Sequence, residues 1–591
     1  MASISRVLSV VLAVVASLTL TGGPSAAADV AVRVNQHAYQ WNGPKHATVV
    51  TDSTTPLSWQ LTTSAGKVVA HGKTKVYGLD EFSGDHVHLV DFSRATRVGE
   101  RYRLVVGGVA SFPFDIAKRP YEQLREDAFA YFYHNRSGIE IDAAYVGAQY
   151  ARPAGHLGVA PNQGDTNVPC YPGSCDYSLD VRGGWYDAGD HGKYVVNGGI
   201  SAWQVLDAYE RAVTVSGGGR AEIADGTLRI PEAGNGISDV LDEARWEVEF
   251  LLRMQVPAGQ ALAGMAHHKM HDDAWTGIPM RPDLDPRPRY LQLPSTAATL
   301  NLAAVAARCA RLWKKLDGTF AAKCRTAAER AWAAAVAHPA MYAQDLGTGG
   351  GGYGDGDVTD EFSWAAAELF TTTGRASYKA YLEPADLSEG FYWGSVAALG
   401  DLTLARFHNQ LSRSEWRAVR DRVVAGADAL VADMKSQGYA NPYLPRDGHY
   451  AWGSASATPN SAFIIASAFD LTGKQKYRDA ALESMDYLFG RNALNQSYVS
   501  GYGEQASHNM HHRFWANQAN AAYPNPPAGA LAGGPNSRLE DPKAQELLQG
   551  CKPAKCYVDH IDSYSTNEVT INWNAPLAWM ALFADSPSAR R

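Results

Sequence analysis

At 591 residues the chain is longer than one ordinary domain and can bury a large core. It carries 53 basic and 61 acidic residues, a net charge of −8, with no long basic run, which argues against a nucleic-acid partner. Its 15 Trp, 29 Tyr and 17 Phe supply flat apolar side chains for a carbohydrate cleft as well as for a core.

Residues 1–28 read as a secretory signal. Arg6 gives a positive start, Val7 to Leu20 an apolar run, and Ser25 to Ala28 a small-residue cleavage site before Asp29. The apolar run is short for a membrane span, and no later stretch looks transmembrane. The expectation is a secreted, extracellular protein.

Residues 29–117 read as all β. Short alternating or β-branched runs recur at Val30–Val34, Ala47–Val50, Leu57–Leu61, Val68–Ala70, His86–Val90 and Arg101–Val106, with turn residues between them. That rhythm suits a small sandwich of immunoglobulin type. The region has no cysteine, so it must rest on its apolar core.

The period changes near Pro120. Helical spacing is predicted for Tyr121–Arg136, Ile200–Val213, Ile237–Gln255, Thr296–Leu316, Ala321–Ala337, Glu361–Thr373, Tyr392–Phe407, Ser414–Met434, Ser461–Asp470, Gln475–Phe489 and Pro576–Ala584. Long Gly-, Pro- and aromatic-rich loops separate these segments, and long loops in a compact domain are usually functional. About a dozen helices with such loops suggest an all-α barrel over residues 121–586. No linker or tail module is evident, which suggests a soluble or amorphous substrate.

Six cysteines form three close pairs, Cys170/Cys175, Cys309/Cys324 and Cys551/Cys556. In an exported protein an even count favours disulfides, and three local bridges are expected. For the middle pair, two alanine-rich helices flank the turn at Leu316 to Gly318, and an antiparallel hairpin brings the cysteines level.

The chemistry concentrates in GGWYDAGDHGKY, Gly183 to Tyr194. Asp187 and Asp190 lie three positions apart in a loop whose glycines allow tight turns and close approach, beside Trp185 and Tyr186. Near the far end, Asp559, Asp562, Tyr564 and Glu568 supply further acids and a ring. An acid pair that activates water and a separate carboxylic acid are the minimal set for cleaving a glycosidic bond. Each piece has a plainer reading: Ser565 to Glu568 matches a helix capping box, and Asp187–Asp190 a cation loop or helix cap.

Together these motifs resemble a family 9 glycoside hydrolase, the cellulase group with an N-terminal immunoglobulin-like domain and an (α/α)6 barrel. The resemblance covers nearly the whole chain after residue 28. It rests on Val34 to Gln36, the Gly183–Tyr194 loop, Gly234 to Arg245, Asp360 to Glu368, Met510 to Arg513 and Tyr564 to Glu568. It implies inversion, with Asp190 as general base, Asp187 holding the water and Glu568 as general acid. Inversion requires carboxyls roughly 6.5–9.5 Å apart, with room for water on the far face of the sugar.

The resemblance also implies that His511 and Arg513 hydrogen-bond a glucosyl unit, with His512 structural and Asp559 and Asp562 supporting. Gln505 departs from the family's usual Asn, Lys or Arg there. Trp185, Tyr186, Trp275, Trp452, Tyr498 and Tyr564 are candidates for sugar contact, Tyr564 foremost. A calcium site is implied at Asp360 and Glu361, after Asp355 and Asp357; hard oxygen ligands suit calcium, although acids at a helix start also answer the helix dipole. Asp176 follows Cys175 where some relatives place a zinc-binding histidine, so a disulfide is expected there in place of zinc. No organic cofactor is expected.

The resulting expectation is a monomeric endo-β-1,4-glucanase acting on cellulose or soluble β-1,4-glucan. An exo-acting cellobiohydrolase or exo-β-glucosaminidase is the alternative. A non-catalytic carbohydrate-binding protein is the remote one, since binding alone needs no Asp187, Asp190 and Glu568 together.

Overall fold

The computed structural model describes residues 30–408 and 411–591. The expected signal segment lies outside them.

Ten strands come first among the described residues: β1 Ala31–Arg33, β2 Ala38–Gln40, β3 His46–Val50, β4 Ser58–Thr62, β5 Val68–Lys73, β6 Lys75–Asp80, β7 Asp85–Asp91, β8 Gly99–Val106, β9 Val109–Ala110 and β10 Phe114–Ala117. They form one sheet in the order β1-β3-β7-β6 and another in the order β2-β10-β8-β4-β5, with β9 on β8. β2 and β10 run parallel and the other pairs are antiparallel. The inner faces meet over Val32, Val49, Trp59, Leu61, Val90, Leu104, Phe114 and Ile116, all buried. Alternation places these residues inward and their neighbours outward, as a two-sheet packing requires. The predicted runs fall on β1, β3, β4, β5, β7 and β8. β2, β6 and β9 lack regular alternation, and β10, which alternates, is only four residues long; all four escape the pattern.

Eleven long helices follow: α1 Glu122–His134, α2 Val195–Thr214, α3 Asp239–Arg253, α4 Thr296–Trp313, α5 Gly318–Ala337, α6 Thr359–Thr373, α7 Ala397–Arg406, α8 Arg413–Lys435, α9 Ser454–Thr472, α10 Gln475–Leu488 and α11 Ile571–Asp585. Six are largely buried along their length: α2, α4, α6, α7, α9 and α11. They pack in sequence, α2 on α4, α4 on α6, α6 on α7, α7 on α9, α9 on α11, and α11 back on α2. Each is backed by a more exposed partner: α1 behind α11, α3 behind α2, α5 behind α4, the 3-10 turn Ala376–Tyr381 behind α6, α8 behind α7, and α10 behind α9. A helix apolar all round belongs inside, and a one-sided one outside.

Local chemistry sets the helix starts. Ser295 caps α4 through the Ala298 amide at 3.1 Å, and Asp317 caps α5 through that of Phe320 at 2.9 Å. Ser412 and Glu415 form a reciprocal capping box on α8. Four helix starts correct the sequence reading by five residues or more: α2 begins at Val195, before the predicted Ile200, and α7 at Ala397, after the predicted Tyr392. α9 begins at Ser454 and α11 at Ile571, several residues before the predicted starts, with Pro459 and Pro576 inside them. A proline costs an interior helix bond, so it reads as a start, yet the dense burial of both helices overrides that preference.

The β region docks on the helices through buried polar contacts. Asn35 Nδ2 donates to Asp486 Oδ1 at 2.9 Å, Gln36 Nε2 to the Asn495 carbonyl at 2.6 Å, and Thr48 Oγ1 to the Gly438 carbonyl at 2.8 Å. Gln505 takes part through its backbone, its amide donating to Gln36 Oε1 at 2.9 Å.

Disulfides join Cys170 to Cys175 and Cys551 to Cys556. The expected Cys309–Cys324 bridge is corrected: both are free and buried. The α4–α5 hairpin does bring the sulfurs level, but they stand 3.5 Å apart, well beyond a bond of about 2.05 Å. No helix among the described residues is long and apolar enough to cross a membrane.

Candidate active site

The loop Gly183–Tyr194 precedes α2, and Glu568 precedes α11, so both reach the same end of the helical body. Gly183 and Gly184 adopt left-handed backbone conformations, φ 81° and 74°. The Asp187 amide donates to the Gly192 carbonyl at 3.0 Å, closing the loop, while the Ile571 amide donates to the Asp187 carbonyl at 2.8 Å and ties it to the start of α11.

Asp187 has no exposed surface, and Asp190 keeps 7%. Asn197 Nδ2 reaches both Asp187 oxygens at 3.0 and 3.1 Å, and Tyr353 Oη donates to Oδ2 at 3.0 Å. Asp190 Oδ2 accepts from Tyr194 Oη at 2.7 Å and from the Gly192 amide at 3.1 Å. Burial, then the negative charge of Asp190, pushes the Asp187 carboxyl up to about 8. Burial, then the charges of Asp190 and Asp187, holds the half-buried Glu568 well above the usual carboxylate range; the Gly189 amide and Arg513 pull the other way. The three carboxyls therefore share one electrostatic field, in which the charge of Asp190 raises both Asp187 and Glu568.

Arg513 is buried on this loop. Its amide and Nη1 both donate to the Gly189 carbonyl, at 3.0 and 2.9 Å, and its Nε donates to Thr276 Oγ1 at 2.6 Å. His511 pairs with Glu568 in a short parallel bridge. Its Nδ1 lies 2.6 Å from the Ile561 carbonyl, which only accepts, so the neutral ring presents a bare Nε2. Burial lowers its pKa to about 4, keeping it neutral.

The aromatic candidates divide. Trp275 and Trp452 are 48% and 41% exposed. Trp275 lies beneath the Arg513 guanidinium, 5.6 Å from its ring centroid, and Trp452 stands 5.6 Å from Tyr564, which in turn stands 5.6 Å from His511. Three expectations are corrected. Trp185 is buried against Phe132, its indole donating to Glu243 at 2.9 Å. Tyr186 is buried with its hydroxyl 2.7 Å from His156 Nδ1. Tyr498 is fully buried beside Tyr557. The first two anchor the loop from beneath, because the tight turns that present the aspartates send the residues before them into the core.

Asp559, a further candidate for substrate contact, has its oxygens taken up within the protein. Its carboxylate accepts the amides of His508 and Asn509 and Asn567 Nδ2, at 3.1, 2.9 and 2.9 Å, so it braces the two segments that carry His511 and Glu568. Asp562 is exposed. His512 accepts the Phe514 and Trp515 amides and stacks on Trp515, a structural role as expected.

Sequence reading missed Asn197, Tyr353 and Lys269. Tyr353 follows the glycine-dense run Gly347–Gly352, and that density was the available signal for close approach to the site.

Asp355, Asp360 and Glu361 converge with ligand oxygens within 4.8 Å of one another. Glu361 is buried with neither oxygen hydrogen-bonded among the described residues, and Asp355 Oδ2 is likewise unpaired. Burial, then Asp360 and Asp355, pushes Glu361 up to about 10. Three crowded carboxylates with orphaned oxygens fit a hard cation. Asp357 instead caps its own loop through the Thr359 amide. His156, His191 and Asp285 form a second buried group, but His191 Nδ1 and Asp285 Oδ2 already share a 2.6 Å hydrogen bond. Arg289 bears electrostatically on both histidines, which makes the group a poor cation site.

Exposed rings, a pair of aspartates and a glutamate whose pKa is raised by burial and by their charge meet at one end of the helical body. Residues 121–581 match Glycosyl hydrolase family 9, and residues 27–111 match the cellulase N-terminal ig-like domain. The chain belongs to glycosyl hydrolase family 9. It is 52% identical over 578 residues to Endoglucanase C of Cellulomonas fimi, covering 94% of this chain and 52% of that protein. It is 47% identical to a cellulose 1,4-beta-cellobiosidase of Acetivibrio thermocellus, covering 94% and 67%. The chain thus spans about half the length of the first of these relatives. Among solved structures it superposes on the family 9 endoglucanase J30 with a TM-score of 0.82 at 31% identity, covering 93% of this chain and all of that one.

Proposed function

We propose that the chain is a secreted, monomeric endo-β-1,4-glucanase that cleaves internal bonds of cellulose or soluble β-glucan with inversion. The observation that carries this is the single field shared by Asp187, Asp190 and Glu568, with Trp275, Trp452 and Tyr564 at the same end. The endoglucanase name of the Cellulomonas fimi relative supports the substrate and mode.

In this reading Asp190 accepts a proton from water as the water oxygen bonds to the anomeric carbon, and Asp187 helps to hold that water. The bond to the leaving sugar breaks, and its electron pair takes the proton delivered by Glu568. Exchange with solvent then restores both carboxyls. His511 and Arg513 orient the glucosyl unit, and the planar Arg513 fork with its Gly189 contacts fixes the floor.

The ring of six buried helices, each with an outer partner, supports an (α/α)6 barrel over residues 121–586, preceded by an immunoglobulin-like sandwich over 29–117. Asp360, Glu361 and Asp355 would hold calcium, which would fix the loop that carries Tyr353.

The test compares viscosity with reducing ends released from carboxymethylcellulose, for wild type and Glu568→Ala. A steep viscosity fall at few cuts, abolished by the substitution, is expected. Reducing ends without viscosity loss would place the chain with the cellobiosidase relative instead.

A further inference from the structure

Beneath the proposed base lies a buried ammonium that the reaction does not consume. The strand β11 Lys193–Tyr194, which closes the catalytic loop, pairs antiparallel with β12 Lys269–Asp272, so that Tyr194 faces Lys269. The Lys269 side chain is 1% exposed, and its Nζ lies 5.9 Å from the centroid of the Tyr194 ring. It donates to Asp345 Oδ1 at 2.5 Å and to the Gly351 carbonyl.

The peptide of Gly351 continues the chain of contacts. Its amide donates to Tyr194 Oη at 3.0 Å, and Tyr194 Oη donates to Asp190 Oδ2 at 2.7 Å. Because Tyr194 Oη accepts from Gly351, its one proton is directed at Asp190. Two residues further on, Tyr353 Oη donates to Asp187 Oδ2, and the Tyr353 and Tyr194 rings meet edge to face at 4.9 Å. The segment Gly349–Tyr353 thus touches both aspartates' supports.

Only glycine lets it lie this close. A Cβ on Gly349 would meet the Asp272 carbonyl oxygen at 2.0 Å, and one on Gly350 would meet His271 Cδ2 at 2.5 Å and Tyr194 Oη at 2.8 Å. The segment has no apolar side chain before Tyr353 to hold it down. At its glycines the segment is anchored by the Asp272–Gly349 bridge and by the Lys269 ammonium on Gly351, and at Tyr353 by His268 Nε2, 3.1 Å from the carbonyl.

We infer that Lys269 is a positioning residue for Asp190, acting through Gly351 and Tyr194, and that the Gly349–Tyr353 segment aims both aspartates at the water. This rests on the reading of Asp190 as the base. Without the ammonium the segment loses the charge that seats Gly351, Tyr194 loses the donor that orients its hydroxyl, and the carboxylate is free to rotate. Misplacement of a reacting group by about 1 Å costs about 100-fold in rate, and substrate contacts at Trp452 and Tyr564 are untouched.

The experiment measures kcat and KM on a soluble β-1,4-glucan for Lys269→Met, Tyr194→Phe and the double variant. The expected result is a fall in kcat of about 100-fold with KM within about threefold, and a double variant no slower than the worse single one. Asp345→Asn, in an exposed part of the loop, weakens the same clamp without touching the core. It is expected to lower kcat by about tenfold should Lys269→Met fold poorly. Unchanged kcat in folded Lys269→Met, or unchanged kcat in Asp345→Asn where Lys269→Met does not fold, overturns the inference, as do fully additive effects. Asp190→Ala in parallel separates the claims. An inactive Asp190→Ala beside an unaltered Lys269→Met removes the positioning role alone; an active Asp190→Ala removes the base and this role with it.

Discussion

Arg513 grips the Gly189 carbonyl twice, through its own amide and through Nη1, at 3.0 and 2.9 Å. Gly189 stands between the two aspartates, so the segment carrying His511 and the loop carrying Asp187 and Asp190 form one unit, although more than 300 residues separate them. A Cβ on Gly189 would meet the His511 carbonyl oxygen at 2.6 Å. Gly189→Ala should therefore part the two segments and lower kcat/KM on soluble β-glucan by about 100-fold with little change in melting temperature. Wild-type turnover would show that the approach is not needed.

The proposed acid works only while protonated, so kcat/KM should fall as pH rises through the pKa of Glu568. That pKa is held high by burial and by the charges of Asp190 and Asp187. Asp187, pushed up to about 8, bears its charge only above that pH; Asp187→Asn removes it there, so Glu568 should ionise more readily and the alkaline limb of the pH–rate profile should move to lower pH. A limb that stays in place or moves upward would contradict the shared field.

Glu361 is the group most in need of a cation, with two unpaired buried oxygens beside Asp355 and Asp360. Chelation by EGTA should lower the melting temperature, and added calcium should restore it. Ligand at a hundredfold excess over its dissociation constant stabilises a fold by about 2.7 kcal/mol. Glu361→Gln should abolish the response to calcium. A melting curve indifferent to EGTA and calcium would remove the site.

Asp486 is buried, and burial pushes its carboxyl up to about 7. Asn35 from the β region supplies it with a donor. Asn35→Ala leaves that carboxyl short of a partner and should cost about 1–3 kcal/mol of stability, with kcat and KM unchanged. The β region is then a brace. Lost activity at full stability would give it a role in catalysis instead.

Cys309 and Cys324 are free thiols. Labelling without reductant should find no reactive thiol in the native protein and two per chain after unfolding, because both are buried and the other four cysteines are bonded. No thiol after unfolding would show that the hairpin is cross-linked.

By itself the sequence separated a β half from a helical half and singled out the acids of the candidate site. Alternation and helical spacing are local properties, legible wherever one face of an element meets a core. The aspartate loop, Glu568, His511 and Arg513 could be picked out because their residue types are unusual in such spacing. Only the tertiary structure decided which aromatic faces a sugar could reach. Trp185 and Trp275 look alike in sequence, yet one is buried under a loop and the other is exposed beside Arg513, and burial is a property of the whole packing. The same holds for Asp559, whose oxygens are taken by amides about 50 residues away, and for Lys269, whose ammonium faces the aspartate loop only because two short strands pair. Hydrogen bonds between distant segments leave no periodic trace in the chain. The nearest to one is the glycine run before Tyr353, where the absence of side chains marks the place at which two backbones had to meet.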